Sequence, residues 1–494
     1  MIKQESMNPN SFSRFIVVMM LLFASGACFS AAAADKTVIS FTGLGWVQYG
    51  RVEHSSDTAN YNYNGNTAQS SGAQITLRAK VSEKFEGAAG LGVLENHYLA
   101  GNASGGSRVP LIRTPYIAEA SFTYSLWNRE TSQLRLTGGL FPYDYNPDVK
   151  NLGLYLLRGP VHPGILISGF ETKAVLPIAN TLGFRLHHES GRWRQDLILN
   201  SETDWYPFYD VSPAYLLNYQ AGPVFRVGAG VNFYRYLSIE SKLTSPDSMS
   251  GNNRDTNSAH PYNRNYIYVD TSTGDTTFIS FKGTKLMANA VFDPKPLFGN
   301  PGILGSEDLK IYGEVALLGL DNSKAYTDIY GDYKHRMPVM LGINIPAFRL
   351  LDQLSLEVEW YGAKYRDDLQ RFQTGRDFYP SPLPVDNSDA FRSKIKIRID
   401  NPNTPLVGDS IDIDVWDRNR SVPFSDVDVL KNLKADNWKW SLYGSRTIQG
   451  HFKLSFQLAN DHFRPGGVVD NRSWEAILST PKDWYWMTKV AYFF

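Results

Sequence analysis

The chain has 494 residues with 49 basic and 49 acidic side chains, so its formal net charge is zero. A balanced charge gives no case for a nucleic-acid partner. The single cysteine, Cys28, lies near the amino terminus, so the rest of the chain can hold no disulfide framework, thiolate metal site or cysteine nucleophile.

The first 34 residues are predicted to be a cleaved secretory signal peptide. Lys3 and Arg14 give a basic start, residues 15–23 form an apolar core, and Ala32, Ala33 and Ala34 complete a small-residue cleavage pattern. The alternative is an uncleaved membrane anchor, since the apolar stretch is long enough to span a bilayer. The small residues at its end favour cleavage and export.

Alternation of apolar and polar residues recurs along the whole chain, and no apolar run after residue 34 is long enough for a membrane helix. Lipid on one side of a strand and water on the other require this period of two. A β-sandwich with one wet face has the same local pattern but does not explain strands throughout the chain. The alternating segments include 75–81, 116–126, 225–233, 391–399 and 452–458. The sequence therefore predicts an all-β, transmembrane, antiparallel up-and-down β-barrel over residues 35–494.

Short and long connectors alternate, and barrels of this kind place short turns in the periplasm and long loops outside. The predicted short links are 82–87, 127–132, 177–181, 221–224, 346–353 and 449–451. The predicted long links are 53–72, 101–113, 237–275, 321–335, 367–389 and 464–481. With both termini in the periplasm we expect about 18 strands, provided that residues 182–202 form one strand rather than a hairpin at Ser190 and Gly191. Sixteen strands is the alternative, and either size allows a water-filled lumen.

Three predicted strands form a charged lumen wall. A basic row on the strand at 390–400 lies between acidic rows on the strands before and after it. These residues are Glu357, Glu359, Arg392, Lys394, Lys396, Arg398, Asp412 and Asp414. One interpretation is that the charges neutralise one another in cross-strand ion pairs. The other is that unpaired charges create a field across the pore and set its ion preference.

The carboxy-terminal strand carries the most specific pattern. Every second residue back from the end is bulky and apolar or neutral, and the last is aromatic: Phe494, Tyr492, Val490, Thr488 and Trp486. This strand resembles the closing strand of bacterial outer-membrane β-barrels. The resemblance implies an outer-membrane location, contact with outer-membrane lipid, and recognition of Phe494 by the barrel-assembly machinery.

In overall plan the chain is similar to porins, whose third outer loop commonly folds into the lumen. Residues 142–163 follow the fifth predicted strand as the third outer connector, and they are more apolar than the other long loops. The resemblance therefore implies an inward-folding loop in which Asp148, Lys150 and Arg158 are constriction charges. The alternative is a loop packed on the outer rim or on a neighbouring subunit, and a homo-trimer is the assembly that porins suggest.

Motifs for enzymatic chemistry are weak. His187 and His188 have no third partner at metal-ligand spacing, and a Gly-x-Ser-x-Gly motif is absent. We expect no enzyme, cofactor or metal, but a porin-like channel for passive diffusion of small hydrophilic solutes. The alternatives are a carbohydrate-selective channel, suggested by the aromatic cluster at 205–209, and an occluded barrel that serves as a surface or structural binding protein. A barrel-embedded hydrolase using His187 or His188 is the third hypothesis.

Overall fold

The computed structural model describes most of the barrel strands and part of the connectors. The described residues are 37–55, 64–65, 67–97, 112–157, 180–202, 210–237, 265–269, 276–280, 283–299, 302–320, 333–360, 396–400, 410–414, 438–460 and 482–494. The predicted signal peptide, the 205–209 cluster, Arg158, Arg392 and Lys394 lie outside these residues.

Twenty strands are described. They are β1 (Val38–His54), β2 (Thr67–Lys80), β3 (Phe85–His97), β4 (Ile112–Arg129), β5 (Ser132–Pro142), β6 (Asn180–Ser190), β7 (Trp193–Ser201), β8 (Val211–Gln220), β9 (Phe225–Tyr234), β10 (Asn265–Val269), β11 (Thr276–Ser280), β12 (Gly283–Phe292), β13 (Ile311–Leu317), β14 (Val339–Asn344), β15 (Gln353–Trp360), β16 (Lys396–Asp400), β17 (Ser410–Asp414), β18 (Trp438–Ile448), β19 (Phe452–Ala459) and β20 (Trp484–Phe493).

Sixteen of these strands form one closed antiparallel barrel in up-and-down order. The last strand, β20, pairs with β1 over a register that runs from Leu44 opposite Phe493 to His54 opposite Trp484. The terminal residue completes the closure, because the Gly43 N–H donates to the Phe494 carbonyl at 2.7 Å and the Phe494 N–H donates back at 3.1 Å. A closed sheet leaves no unpaired edge. The predicted fold class is confirmed.

The barrel has 16 strands, the alternative count, rather than 18. Residues 182–202 do not form one strand, since β6 and β7 make a hairpin in which Ser190 pairs with Trp193. β5 pairs directly with β6, which leaves no place in the wall for a strand between them. The predicted short link at 177–181 is therefore not a turn between wall strands, because residues 180 and 181 begin β6.

The remaining four strands form a second sheet in the order β11-β10-β16-β17. β15 pairs with β18 in the barrel, so the strand at 390–400 is not its neighbour and the predicted three-strand charged wall is wrong. Within the second sheet the basic and acidic rows are opposite each other, with Lys396 paired to Asp414 and Arg398 paired to Asp412 in the backbone register. Alternation alone cannot tell a barrel strand from a strand of another sheet.

The two faces of the barrel strands differ in polarity as well as in exposure. On β1, Val47 is 62% exposed whereas its neighbour Gln48 is 3% exposed. On β15, Glu357 and Glu359 are buried and alternate with half-buried apolar residues. The exposed apolar rows form the outside of the barrel, and the polar rows face its interior, as a membrane-spanning barrel requires.

The connectors also differ between the two ends of the barrel. The near end, where β1 begins and β20 ends, has short turns at 81–84, 130–131, 191–192, 221–224 and 449–451. Two near-end connectors are longer, at 293–310 and 345–352, and the first contains the 3-10 helix Lys295–Phe298. All connectors at the far end are long, including 143–179 between β5 and β6. None of the helices in the described segments is long and apolar enough to cross a membrane.

Candidate functional site

The segment that follows β5, residues 143–157, packs against the interior face of the barrel wall. Val149, Leu152, Tyr155 and Leu156 are each at most 1% exposed. They share one buried apolar cluster with inward residues of five wall strands: Ile198, Ala214, Leu216, Met287, Val291, Tyr312, Ala316 and Met340. Burial of this many apolar side chains gives the segment a core of its own against β7, β8 and β12–β14.

Local backbone preferences shape this segment. Pro142 ends β5, and the Asn146 N–H donates to the Asp144 carboxylate at 3.0 Å in a tight turn. Gly153 has a φ of 78°, which suits glycine. Leu154 follows with a φ of 59°, which side chains rarely adopt. The segment is therefore a defined turn structure held by its surroundings.

Glu357 on β15 is the main polar anchor of the segment. Its carboxylate accepts three successive backbone N–H groups, from Lys150 at 2.6 Å and from Asn151 and Leu152 at 2.9 Å each. It also accepts the Tyr312 hydroxyl at 3.0 Å. Irregular backbone buried away from water needs such acceptors, because its N–H groups have no ladder partners.

Two more carboxylates hold the next residues. Glu359 accepts the Tyr155 hydroxyl at 2.8 Å and the Gly153 N–H at 3.4 Å. Glu314 on β13 accepts the Tyr155 N–H and the Tyr145 hydroxyl, both at 2.7 Å. Glu314 and Glu359 are 3% and 2% exposed. These acidic groups therefore bind the loop rather than face open water.

Asp148 forms ion pairs with cations from two other elements. It contacts Arg226 on β9 and the Lys310 ammonium, which is 3.1 Å away in the 293–310 connector. Lys310 is also 2.9 Å from Glu307. Burial by itself raises the pKa of the Asp148 carboxyl, but Lys310 and Arg226 hold that pKa below its usual value. Asp148 is therefore an anion at neutral pH, and its charge is largely compensated.

A second charged group lies where the segment leaves β5. The Tyr143 hydroxyl donates to Asp196 at 3.0 Å, and the Arg185 guanidinium carbon is 4.8 Å from the Tyr143 ring centre. Asp196 is also 2.7 Å from both Arg185 and His187. Interior residues of β6 and β7 therefore fix the start of the segment.

The two histidines proposed for hydrolysis point to opposite faces. His187 is inside, between Asp196 and Arg185. His188 is on the outer face, where it lies 3.4 Å from the Ser132 hydroxyl and edge-on to Trp127. The structure therefore places the two histidines on opposite faces of β6.

An open cavity of about 240 Å³ lies between the segment and the near end of β6–β9. Tyr145 and Pro147 line it from the loop side. The wall side is rich in charge, with Glu189, Arg192, Arg194 and Arg226. Acidic and basic side chains therefore face solvent in this cavity beside the loop.

On the three wall strands that follow β15, the interior row is polar and also buried. Lys439, Gln457 and Lys489, on β18, β19 and β20, are at most 2% exposed. Trp46, Leu94 and Ala491 form a small apolar cluster on the same side. These interior positions of β18, β19 and β20 are therefore shielded from solvent.

The outcomes for the predicted site residues differ. Asp148, Glu357 and Glu359 come together at one loop–wall contact. Lys150 is half-exposed, and its ammonium donates to the Pro147 carbonyl at 2.8 Å. Residues 158–163 are outside the described residues, so the inward folding of the whole predicted loop stays a prediction. Lys396, Arg398, Asp412 and Asp414 belong to the second sheet and not to this contact.

Sequence reasoning missed several residues of the site. Glu314 shares the inward row of β13 with Tyr312, and the alternation of that strand could have revealed it. Arg226 was visible as the polar neighbour of an apolar row, but nothing marked it as a partner of Asp148. Lys310 lies in a connector, where no periodic signal exists.

No family model and no curated protein matches this chain. Among solved structures, a mutant of the Rh. blastica porin aligns with 92% of this chain and 100% of its own, at 9% identity and a TM-score of 0.39. Salmonella typhi OmpF in complex with daunomycin aligns with 92% of this chain and 97% of its own, at 8% identity and a TM-score of 0.39. At such identities the similarity concerns the fold alone. The wall itself is a closed antiparallel β-barrel of sixteen strands.

Proposed function

We propose that this protein is an outer-membrane channel for passive diffusion of small hydrophilic solutes, and that the loop at 142–163 is its filter. The observation that carries the proposal is the seating of residues 143–157 on the interior wall by Glu314, Glu357 and Glu359. A loop bound in this way narrows the lumen of the barrel. The barrel fold also favours a channel over an enzyme.

The filter charges are Asp148 with its partners Arg226 and Lys310, together with the arginines at the near end of β7. A polar interior with charges of both signs favours hydrated solutes over apolar ones. Lys150 and Arg158 complete the proposed set from the loop side. The near end would be periplasmic, with Phe494 read by the barrel-assembly machinery and a homo-trimer as the assembly.

The occluded barrel is the second candidate, and one observation favours it. An open lumen leaves inward polar side chains in contact with water, yet Lys439, Gln457 and Lys489 are almost fully buried. In this case the barrel would be a surface or structural protein whose far-end connectors bind a partner.

Conductance of the purified protein in a planar bilayer separates the two candidates. The protein with the 142–163 loop shortened is recorded beside it. Steady current whose size or ion selectivity changes on shortening supports the filtered channel. A folded barrel that carries no current, with or without the loop, rejects the channel and supports the occluded form.

A further inference from the structure

Two near-end connectors expose large apolar side chains, unlike the short turns at the same end. We call them the apolar collar: Leu297, Phe298, Ile303, Phe348 and Leu350. They are 58–80% exposed. The first three lie in the 293–310 connector and the last two in the 345–352 connector. Exposed apolar groups at this density mark a surface that contacts something other than water.

Hydrogen bonds join the two connectors that carry the collar. The Asp308 carboxylate accepts the Ala347 N–H at 3.1 Å, and Arg349 Nε donates to the Leu304 carbonyl at 3.3 Å, so the two connectors are joined. Phe348 and Arg349 have φ values of 49° and 63°, in the left-handed region that side chains avoid. Strained backbone of this kind persists only where its surroundings hold it. The connectors therefore display the apolar side chains in a fixed arrangement.

The position of the collar points to its partner. Elsewhere on the near end, outward aromatic residues form a girdle, each at least 37% exposed. They are Phe85, Phe122, Tyr124, Trp127, Trp193, Phe225, Phe452, Tyr492 and Phe494. On β13 and β14 the outward residues at this end are aliphatic, Ile311 and Ile343. Phe298 and Phe348 lie in the connectors that join β12 to β13 and β14 to β15, at the end of the barrel where the girdle lies.

Cationic groups accompany the apolar ones. Arg349 is exposed between Phe348 and Leu350. Arg446 lies beside it, with a side chain 43% exposed; it donates to the Arg349 carbonyl at 2.6 Å and forms an ion pair with Asp352 at 3.2 Å. Apolar rings next to arginines suit the boundary where acyl chains meet phosphate groups.

We propose that the apolar collar is a lipid-docking surface, which places its apolar side chains among the acyl chains of the near leaflet and Arg349 at a phospholipid phosphate. The proposal rests on the membrane-embedded barrel of the proposed function. Continuity with the aromatic girdle favours lipid over a second protein, because the girdle marks the membrane boundary around the barrel.

Site-directed spin labelling tests the collar directly. The protein carrying Cys28→Ser has no cysteine, so Leu350→Cys or Phe298→Cys gives one label site each. Both residues are at least 65% exposed, so a label is tolerated. Leu341→Cys on the outer face of β14 is the reference for lipid, and Lys84→Cys in a short near-end turn is the reference for water. Each variant is reconstituted in phospholipid vesicles, and relaxation by oxygen is compared with relaxation by a water-soluble nickel chelate.

We expect the labels at 350 and 298 to show weaker relaxation by nickel and stronger relaxation by oxygen than the label at 84. Their relaxation should resemble that of the label at 341. Nickel relaxation at 350 and 298 equal to that at 84 would place the collar in water and overturn the proposal. Protection from both reagents would place it against protein, which also overturns it. Nickel relaxation at 341 as well would reject the embedded barrel itself, so failure of the collar and failure of the membrane assignment are distinguishable.

Discussion

Replacing Glu357 by Gln is expected to release residues 143–157 while the barrel wall stays folded. One carboxylate oxygen accepts the Lys150 N–H and the Tyr312 hydroxyl, and the other accepts the N–H groups of Asn151 and Leu152. Glutamine keeps one acceptor and puts an amide NH₂ where the second oxygen was. Two hydrogen bonds are lost, and the other two lose their charge.

The magnitude follows from these four contacts. A hydrogen bond to a charged group contributes about 1.5–3 kcal/mol, so the loss of two weakens the attachment of the segment by about 3–6 kcal/mol. The lower value raises the population of the detached segment about 100-fold, since about 1.4 kcal/mol is a factor of ten. The wall is retained because the backbone ladders of β15 with β14 and β18 do not involve the carboxylate.

Two assays measure the release in the refolded protein. Trypsin cleavage after Lys150 reports access to the segment, and its rate should rise with the detached population. Planar-bilayer recording should show larger or noisier current. Glu119→Gln is the matched control, because Glu119 is buried on the interior face of β4 but bonds to Arg78 and Ser121.

The reasoning fails if folded Glu357→Gln protein shows the wild-type cleavage rate and conductance. It fails equally if Glu119→Gln releases the segment to the same extent, because the effect would then be a general loosening of the wall.

Further predictions concern the charge, packing and acid response of the site. Asp148→Asn removes the anion that compensates two cations, so the reversal potential in a salt gradient should shift toward anion preference; an unchanged potential would contradict this. Because the pKa of Asp148 is lowered by its cations, its stabilising effect is present at neutral pH and is lost as the pH falls through that lowered value, so the part of loop attachment that Asp148 contributes should weaken only below about pH 4, and the difference in conductance between the wild type and Asp148→Asn should vanish there. Gly342→Ala puts a methyl group into the Tyr312 ring, so the thermal midpoint should fall by the equivalent of about 1–3 kcal/mol, and an unaltered midpoint would show that the ring moves aside. Leu152→Ala leaves a cavity that costs about 2–5 kcal/mol, and hydrogen exchange should rise in the segment but not in the wall strands.

The wall of the barrel could be predicted from sequence because its cause is local. A strand with lipid on one face and the barrel interior on the other must alternate apolar and polar residues. This pattern can be recognised without knowing which strand pairs with it. The pattern could not assign a strand to a sheet. The segments at 396–400 and 410–414 alternate as barrel strands do, yet they pair outside the wall. Counting them as wall strands raised the predicted number above 16, whereas the missed hairpin at Ser190 and Gly191 lowered it by one.

The site was predictable only in part. The inward direction of Glu357 and Glu359 followed from alternation, and the apolar character of the 142–163 loop predicted that it packs away from water. The contact between these two carboxylates and the loop did not follow, because it depends on backbone N–H groups of the loop, which leave no pattern in the sequence. The sequence suggested a basic strand as the partner of these acids, but their partner is the loop itself.

The separation in sequence between the loop and its anchors imposes an order on barrel assembly. Glu314 lies 159 residues beyond Tyr155, and Glu357 lies 207 residues beyond Lys150. These acceptors exist in position only after β13 and β15 have joined the wall. Until those strands are in place, the N–H groups of residues 143–157 must be satisfied by water. Attachment of this segment to the wall therefore reports that β13 and β15 have been correctly inserted.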